Sequence, residues 1–353
     1  DNIRFNLRHT ARKHRERRNQ SITYLTAEEA KNFALDTALH SYPINDFKGK
    51  PKHLHRNNEG RNQRHLSEIT VLREDGLRYV YGIPAYNRTQ QEVSFSTAVM
   101  GDCQSGLVTY ASGENTSNNK SGEDNYFNKV SMPPYAHSYL LTAIVSQDYV
   151  DLTGDGLTTD DYGTYTKFNY SRKYKEYGWR IPYDTTQANF NEGLKSTNGD
   201  NKANYVAGKK ECWFLHSVES KTQVAEFRYD TLHRTDALST SGQILPRLDN
   251  ITLYSRPDRM SNGTNAVPIK TVWFEYTQNL CPKIPNSSVN GGGKLTLVKL
   301  WFTHGSSQKG KLSPYKFAYG EYGGPRPMNP DYGLKNYNRW GTYQKNNGTG
   351  GTA

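Results

Sequence analysis

Cysteine is scarce in this sequence: Cys103, Cys212 and Cys281 are spread over 353 residues and no two form a CxxC pair. That spacing excludes a disulfide-stapled scaffold and a thiolate zinc site, and the three thiols read as structural and buried. Long apolar runs are missing too. No stretch approaches 18 uninterrupted apolar residues, so no membrane-spanning helix is expected. The opening Asp1-Asn2-Ile3-Arg4 has neither an initiating Met nor the apolar region of a signal peptide, and the chain reads as a mature or excised fragment. Catalytic signatures are lacking as well. Nothing matches GxSxG or HExxH, and no pair of carboxylates is singled out for glycoside hydrolysis. His53, His55 and His65 stand near one another, yet no acidic or Cys partner lies at metal-ligand spacing.

Apolar residues make up only 34% of the chain and the mean hydropathy is −0.89, values that by themselves point toward disorder. The aromatics reverse that reading. With 26 Tyr, 12 Phe and 5 Trp, the chain has large side chains that bury area while keeping a polar handle. Tyr, Thr and Val in short runs, broken by 30 Gly and abundant Asn, favour strands joined by turns and exclude an all-helical fold.

Positive charge is unevenly placed. Residues 1 to 65 hold 14 Lys and Arg against 7 Asp and Glu, so +7 of the formal +11 sits there. Within that stretch Thr26-Ala-Glu-Glu29 matches a capping box ahead of the spaced apolar residues Ala30, Phe33, Ala34 and Leu39, which predicts one amphipathic helix. Residues 40 to 60, with Pro43 and Pro51 among Gly and Asn, read as a linker or long loop. Alternation begins at Leu66, through Ile69-Thr-Val71, Tyr79-Val-Tyr81 and Val93-Ser-Phe95. Residues 101 to 129 are rich in Ser, Asn and Gly and read as a mobile excursion, and 135 to 150 is too short an apolar run for periodicity to choose between helix and strand.

The second half carries a recurring Phe-x-Tyr: Phe168-Asn-Tyr170, Phe227-Arg-Tyr229, Phe274-Glu-Tyr276 and Phe317-Ala-Tyr319. Two copies sit in fuller units, in which residues 247–254 lead to 269–276 and residues 294–301 lead to 315–319, each reading as two strands of a hairpin. Phe and Tyr two apart share a strand face, so such hairpins predict aromatic ladders across one continuous sheet. The expected fold is mainly β: antiparallel hairpins in a curved sheet, wall or shell, with one short N-terminal helix. Four segments follow: a basic arm and helix (1–65), a β-rich segment with a polar loop (66–150), a hairpin segment opening on an acidic loop (151–343) and a flexible tail (344–353).

Tyr79-Val-Tyr-Gly-Ile-Pro-Ala-Tyr86, Asp151-Leu-Thr-Gly-Asp-Gly156, Asn191-Glu-Gly-Leu194, Pro268-Ile-Lys-Thr-Val-Trp-Phe-Glu-Tyr276 and Arg339-Trp-Gly-Thr-Tyr343 together resemble segments of very large, mostly uncharacterised secreted or cell-surface proteins of Bacteroidetes related to RHS/YD-repeat proteins. The resemblance spans most of residues 66 to 343. It implies an extracellular polypeptide whose hairpins form a wall, shell or stalk, and it implies no reaction. The sequence departs from the pattern in having no true YD-repeat array and no C-terminal autoproteolytic core.

One segment points to a ligand. Asp151-Leu-Thr-Gly-Asp-Gly-Leu-Thr-Thr-Asp-Asp161 places hard oxygens at loop positions 1, 3 and 5, a Gly at 6 and a main-chain carbonyl at 7, the first half of an EF-hand or dockerin loop. Tyr162 occupies position 12 in place of a bidentate acid. The expected ligands of one calcium are therefore Asp151, Thr153, Asp155, the Leu157 carbonyl, and Asp160 or Asp161. The leading functional expectation is a non-catalytic structural or adhesive module, its partners being other regions of the same polypeptide or other surface proteins. A carbohydrate-binding or carbohydrate-degrading module comes second, with the Trp and Tyr excess lining a glycan platform. A nucleic-acid binder using the basic arm comes third, because no nucleic-acid fold signature follows that arm.

Overall fold

The computed structural model describes residues 21–190, 200–319, 330–336 and 340. The arginine-rich arm (1–20), residues 191–194 and, apart from Trp340, residues 339–343 lie outside the described residues. The N-terminal part begins with β1 (Ile22–Thr26) and α1 (Ala27–Phe33). The capping box is formed: Thr26 Oγ1 accepts from the Glu29 N–H at 3.3 Å, and Glu29 Oε2 accepts from the Thr26 N–H at 2.9 Å. The helix is shorter than its apolar spacing suggests. Only Ala27 and Ala30 are buried on it, Ala34 caps it, Phe33 is exposed, and Leu39 belongs to a strand.

The stretch read as a linker is built into the body of the protein. β2 (Leu39–Ser41) pairs with β3 (Lys52–Leu54), and Leu39 and Leu54 bury against Ile83. The Tyr42 N–H donates to the Tyr170 carbonyl at 2.9 Å, and Arg56 is buried beneath. Burial of three aliphatic side chains and tertiary hydrogen bonds hold a segment whose local composition is that of a loop.

The main sheet has 16 strands. After β1 its members are β4 (Leu66–Leu72), β5 (Arg78–Tyr81), β6 (Ile83–Ser96), β7 (Leu107–Thr109), β8 (Phe127–Met132), β9 (Tyr135–Leu140), β10 (Ala143–Val145), β11 (Tyr165–Ile181) and β12 (Gln187–Phe190). They continue with β13 (Lys202–Glu219), β14 (Gln223–Asp230), β15 (Arg247–Ser255), β16 (Lys270–Leu280), β17 (Lys294–Thr303) and β18 (Tyr315–Lys316). A second short helix, α2 (Arg256–Asn262), follows β15. All pairings are antiparallel, and the spatial order runs β1-β4-β5-β10-β11-β13-β14-β15-β16-β17-β18, with β6 and β12 attached to β13. The sheet is not closed. The long strands β11 and β13 form its spine and are bent by three register shifts, as bulges bend a ladder.

Within 135–150, residues 135–140 and 143–145 are strand, and the excursion at 101–129 is tied down: Val108 and Phe95 share a core cluster, while Asn119 Nδ2 donates to the Ser96 and Tyr126 carbonyls. Cys212 and Cys281 are buried as expected, whereas Cys103 is exposed. The core is divided into small clusters, the largest centred on Val80, Ala143, Val145 and Tyr165 and on Val93, Phe95, Ala188 and Ala203. Small clusters of this kind are how a chain of low mean hydropathy folds.

The Phe-x-Tyr motifs mark a repeat in register. The 247–254 strand pairs with the 269–276 strand as the sequence predicts, and of the second predicted hairpin the ladder covers Tyr315 and Lys316 against Leu300 and Lys299, with the Phe317 N–H donating to Val298 O. Between successive Phe-x-Tyr strands lies a strand reading Leu-x-x-aliphatic: Leu141-Thr-Ala-Ile144, Leu215-His-Ser-Val218, Leu248-Asp-Asn-Ile251 and Leu297-Val-Lys-Leu300. Phe168, Phe227 and Phe274 each face the aliphatic residue, and the middle residue of each motif faces the third residue of the Leu strand. The Tyr faces the Leu across a bulge that skips His216, Asp249 or Val298. On the other side the residue before each Phe pairs with the third residue of the preceding Leu strand: Lys167 with Ala143, Glu226 with Ser217, Trp273 with Asn250 and Lys316 with Lys299. Tyr79-Val-Tyr81 takes the Phe-x-Tyr place opposite Ile144 and Ala143.

Each of these three bulges interrupts the ladder at its Leu, and at two of them, Leu215 and Leu297, a tyrosine hydroxyl takes up the Leu carbonyl; Leu141, where the ladder has no register shift, receives the same bond. Tyr170 donates to Leu141 O at 2.8 Å, Tyr229 to Leu215 O at 2.7 Å and Tyr319 to Leu297 O at 2.7 Å. A main-chain acceptor in a broken ladder needs such a partner. Phe-x-Tyr strands are therefore never neighbours, and the expected aromatic ladder does not form. Tyr229 and Tyr319 secure bulges, and among the described residues the rings form local stacks, such as Trp273 on Trp301 at 6.4 Å.

Candidate functional site: the acidic loop and the polar cleft

The acidic loop hangs between β10 and β11. Its ends are drawn together where Val150 and Tyr162 form a bridge, the Tyr162 N–H donating to Val150 O at 3.1 Å. Leu157 anchors it by burying with Tyr149, Val145 and Tyr165. Gly154 and Gly156 adopt φ of +73° and +92°, a region that suits glycine, and these turns fold the loop back on itself.

Asp151, Asp155 and Asp161 come together, with one carboxylate oxygen from each lying within 4.8 Å of the others. Asp160 stays outside that group, so of the two neighbouring acids it is Asp161 that lies with Asp151 and Asp155. Asp160 Oδ1 instead accepts from the Thr158 hydroxyl. Thr153 lies alongside, its hydroxyl donating to Asp155 Oδ1 at 2.6 Å. Asp151 accepts from the Thr153, Gly154 and Gly156 N–H groups at 3.2, 2.6 and 3.0 Å. Asp161 is buried and accepts from the Tyr149 hydroxyl at 2.9 Å, the Thr158 N–H at 2.8 Å and the Leu152 N–H at 3.3 Å. Burial would raise its pKa, but these donors outweigh burial and hold the carboxyl below its ordinary value. Burial, then the Asp161 carboxylate, pushes the Tyr149 phenol well up. All the clustered donors are hard oxygens, the set that suits calcium, and each carboxylate keeps one oxygen that accepts at most one of these hydrogen bonds: Asp151 Oδ2, Asp155 Oδ2 and Asp161 Oδ1.

A second feature has no counterpart in the sequence reading. A cleft of about 640 Å³ opens between residues 42–49, the β13–β14 hairpin and α2. Tyr42, Phe47, His216, Glu219, Arg256 and Arg259 line it. His216 lies between Tyr42 and Phe47, at ring distances of 5.0 and 4.7 Å, and burial lowers its pKa. Glu226 is buried at the base, paired with Arg259 Nε at 2.6 Å. These residues come from three distant parts of the chain, so spacing gave no signal for them.

Charge is otherwise organised structurally. Glu211, buried on β13, receives Arg61 Nη2 at 2.8 Å, Arg172 Nη1 at 3.0 Å, Arg88 Nη2 and Trp213 Nε1 at 3.0 Å. Glu59 caps the cluster, 2.7 Å from Arg172 and 3.2 Å from Arg88. The histidines of the sequence reading separate into other roles: His53 Nδ1 lies 2.9 Å from His40 Nε2, and His65 Nδ1 lies 3.2 Å from the Tyr86 hydroxyl. No described helix is long and apolar enough to cross a membrane. Comparison with protein-family models, with curated proteins and with solved structures finds no match.

Proposed function

We propose that this chain is a non-catalytic structural or adhesive segment of a large extracellular bacterial polypeptide, similar to the RHS/YD-related surface proteins of Bacteroidetes, and that its acidic loop holds one calcium ion. The observation that carries this reading is the repeated register of the meander from β5 to β18. Selection for a reaction fixes a few side chains around one pocket. Here the recurring features are a bulge, a tyrosine-to-carbonyl bond and a pairing offset, which are devices for extending a wall of hairpins.

Calcium staples the Val150–Tyr162 bridge that follows β10 to the start of β11 and stabilises the fold by linkage. Because backbone donors already share Asp151 and Asp161, and Tyr162 replaces a bidentate acid, affinity falls in the extracellular range of about 10⁻⁴ to 10⁻³ M. The test is twofold. The purified chain is assayed for turnover of glycan, ester and peptide substrates, and titrated with calcium by calorimetry. Turnover abolished by a single substitution in the cleft overturns the structural assignment, and absence of calcium heat at millimolar concentration overturns the cation site.

The cleft favours one second reading, a carbohydrate-binding module. Its volume lies in the range of small-molecule sites, and it combines stacking rings with carboxylate and guanidinium groups. Saturable binding of an oligosaccharide, lost in Phe47→Ala, would move the assignment to that class.

A further inference from the structure

The interior of the meander states a rule that its last described strand leaves incomplete. Every Phe-x-Tyr or Tyr-x-Tyr strand before β18 has a Leu-x-x-aliphatic strand on its far side, whereas β18 pairs only with β17 among the described residues. Exposure marks the missing neighbour. Phe317 and Tyr319 are 41% and 49% exposed, while Phe168, Phe227, Phe274 and their tyrosines are half-buried.

The inward bonds of this strand are already those of an interior copy. The Phe317 N–H donates to Val298 O at 2.9 Å and the Tyr319 hydroxyl to Leu297 O, as Phe168 and Tyr170 do to Thr142 and Leu141. These two bonds carry Phe317–Tyr319 along β17 beyond Lys316, the last laddered residue of β18, and alternation along that line turns the N–H and C=O of Ala318 outward. At that place in the interior copies, Val80, Asn169, Arg228 and Glu275 face Ala143, Ser217, Asn250 and Lys299, the third residues of the Leu strands.

We infer that the outer edge of β18 docks one strand of a partner polypeptide with the pattern Leu-x-x-aliphatic, antiparallel, its third residue opposite Ala318 and its Leu opposite Tyr319. The next described residues of this chain are engaged elsewhere. The Tyr332 N–H donates to Pro282 O, Asp331 pairs with Lys283, and Lys335 reaches Cys103 O. A second copy does not complete the rule head to tail, because the opposite edge strand, Ile22-Thr-Tyr-Leu-Thr26, lacks the pattern. This inference rests on the structural reading and gives it a partner: edge addition, in which main-chain bonds supply affinity and alternate side chains supply specificity.

Register-specific cross-linking tests it. Ala318→Cys is made in a Cys103→Ser background of the full chain and mixed with peptides of the sequence Arg247–Ser255 carrying cysteine at Asp249, Asn250 or Ile251. In a buffer of oxidised and reduced glutathione, the oxidised form accepting the two electrons, the Asn250→Cys peptide is expected to form the disulfide about tenfold faster than the other two, since only correct apposition brings the sulfurs together. Adding Leu248→Asp to that peptide is expected to remove the advantage. Equal rates for the three peptides overturn the inference. Faster cross-linking between two copies of the Ala318→Cys chain overturns it in favour of self-pairing. Neither result touches the structural reading, which falls on turnover.

Discussion

Replacing Glu211 by Gln removes the negative centre of a buried cluster without changing its shape. Its side chain is 0% exposed, and those of Arg61, Arg88 and Arg172 are 1%, 6% and 7% exposed. Arg61 Nε and Arg88 Nε already have no hydrogen-bond partner, so the cluster has more donors than acceptors before any change. Without Glu211, only Glu59 faces three guanidinium groups. Breaking a buried ion pair from one side costs about 3–5 kcal/mol, because the remaining charges stay desolvated. In a chain of this size that corresponds to a drop of roughly 4–7 °C in melting temperature. The assay is chemical denaturation by urea at pH 7 with unchanged slope, backed by calorimetric melting. Glu59→Gln is the control: its side chain is 24% exposed, and its loss is expected to cost less. A Glu211→Gln chain that melts within 1 °C of the parent, about 1 kcal/mol or less, or a Glu59→Gln chain that suffers as much, refutes the argument that burial sets the cost.

Other expectations follow from the same structure. Burial alone would raise the Glu59 pKa, but the hydrogen bond and charge of Arg172, with Lys175, lower it from 4.5 to about 2. Its contribution is therefore complete above about pH 4.5 and is lost as pH falls toward 2, so the stability difference between parent and Glu59→Gln should shrink over that window in acid titrations. Asp155→Asn is expected to abolish calcium-dependent stabilisation while leaving the calcium-free melting point within about 1 kcal/mol, since Asp155 is exposed and bonds only to the Thr153 and Thr158 hydroxyls; a calcium-induced shift equal to the parent's counts against the site. Tyr229→Phe strips the partner from Leu215 O and should cost about 1 kcal/mol, whereas Tyr162→Phe, an exposed position, should be silent in the same denaturation series.

Sequence alone determined the local features: strands where Val, Thr and Tyr alternate, the Thr26–Glu29 capping box, the two fuller hairpins, and the gathering of Asp151, Asp155 and one of Asp160 or Asp161 around glycine turns. These depend on neighbours a few residues apart, so their physics is written within short windows. The repeat itself was half legible. Phe-x-Tyr could be seen, but its Leu-x-x-aliphatic partners could not, because insertions of unequal length, such as residues 182–201 between β11 and β13, erase any period while leaving the register intact. Ordering of residues 40–60 was hidden because a loop-like composition was fixed by distant burial against Ile83. The choice of Asp161 over Asp160 followed from Tyr149 and Leu157 burying on the β10–β11 core, which turns one carboxylate inward and leaves the other at the surface. The Glu211 cluster joins Arg61 to a carboxylate 150 residues away. Charges so far apart in sequence pair only because β6, β11 and β13 lie side by side, and Coulomb attraction acts through space rather than along the chain.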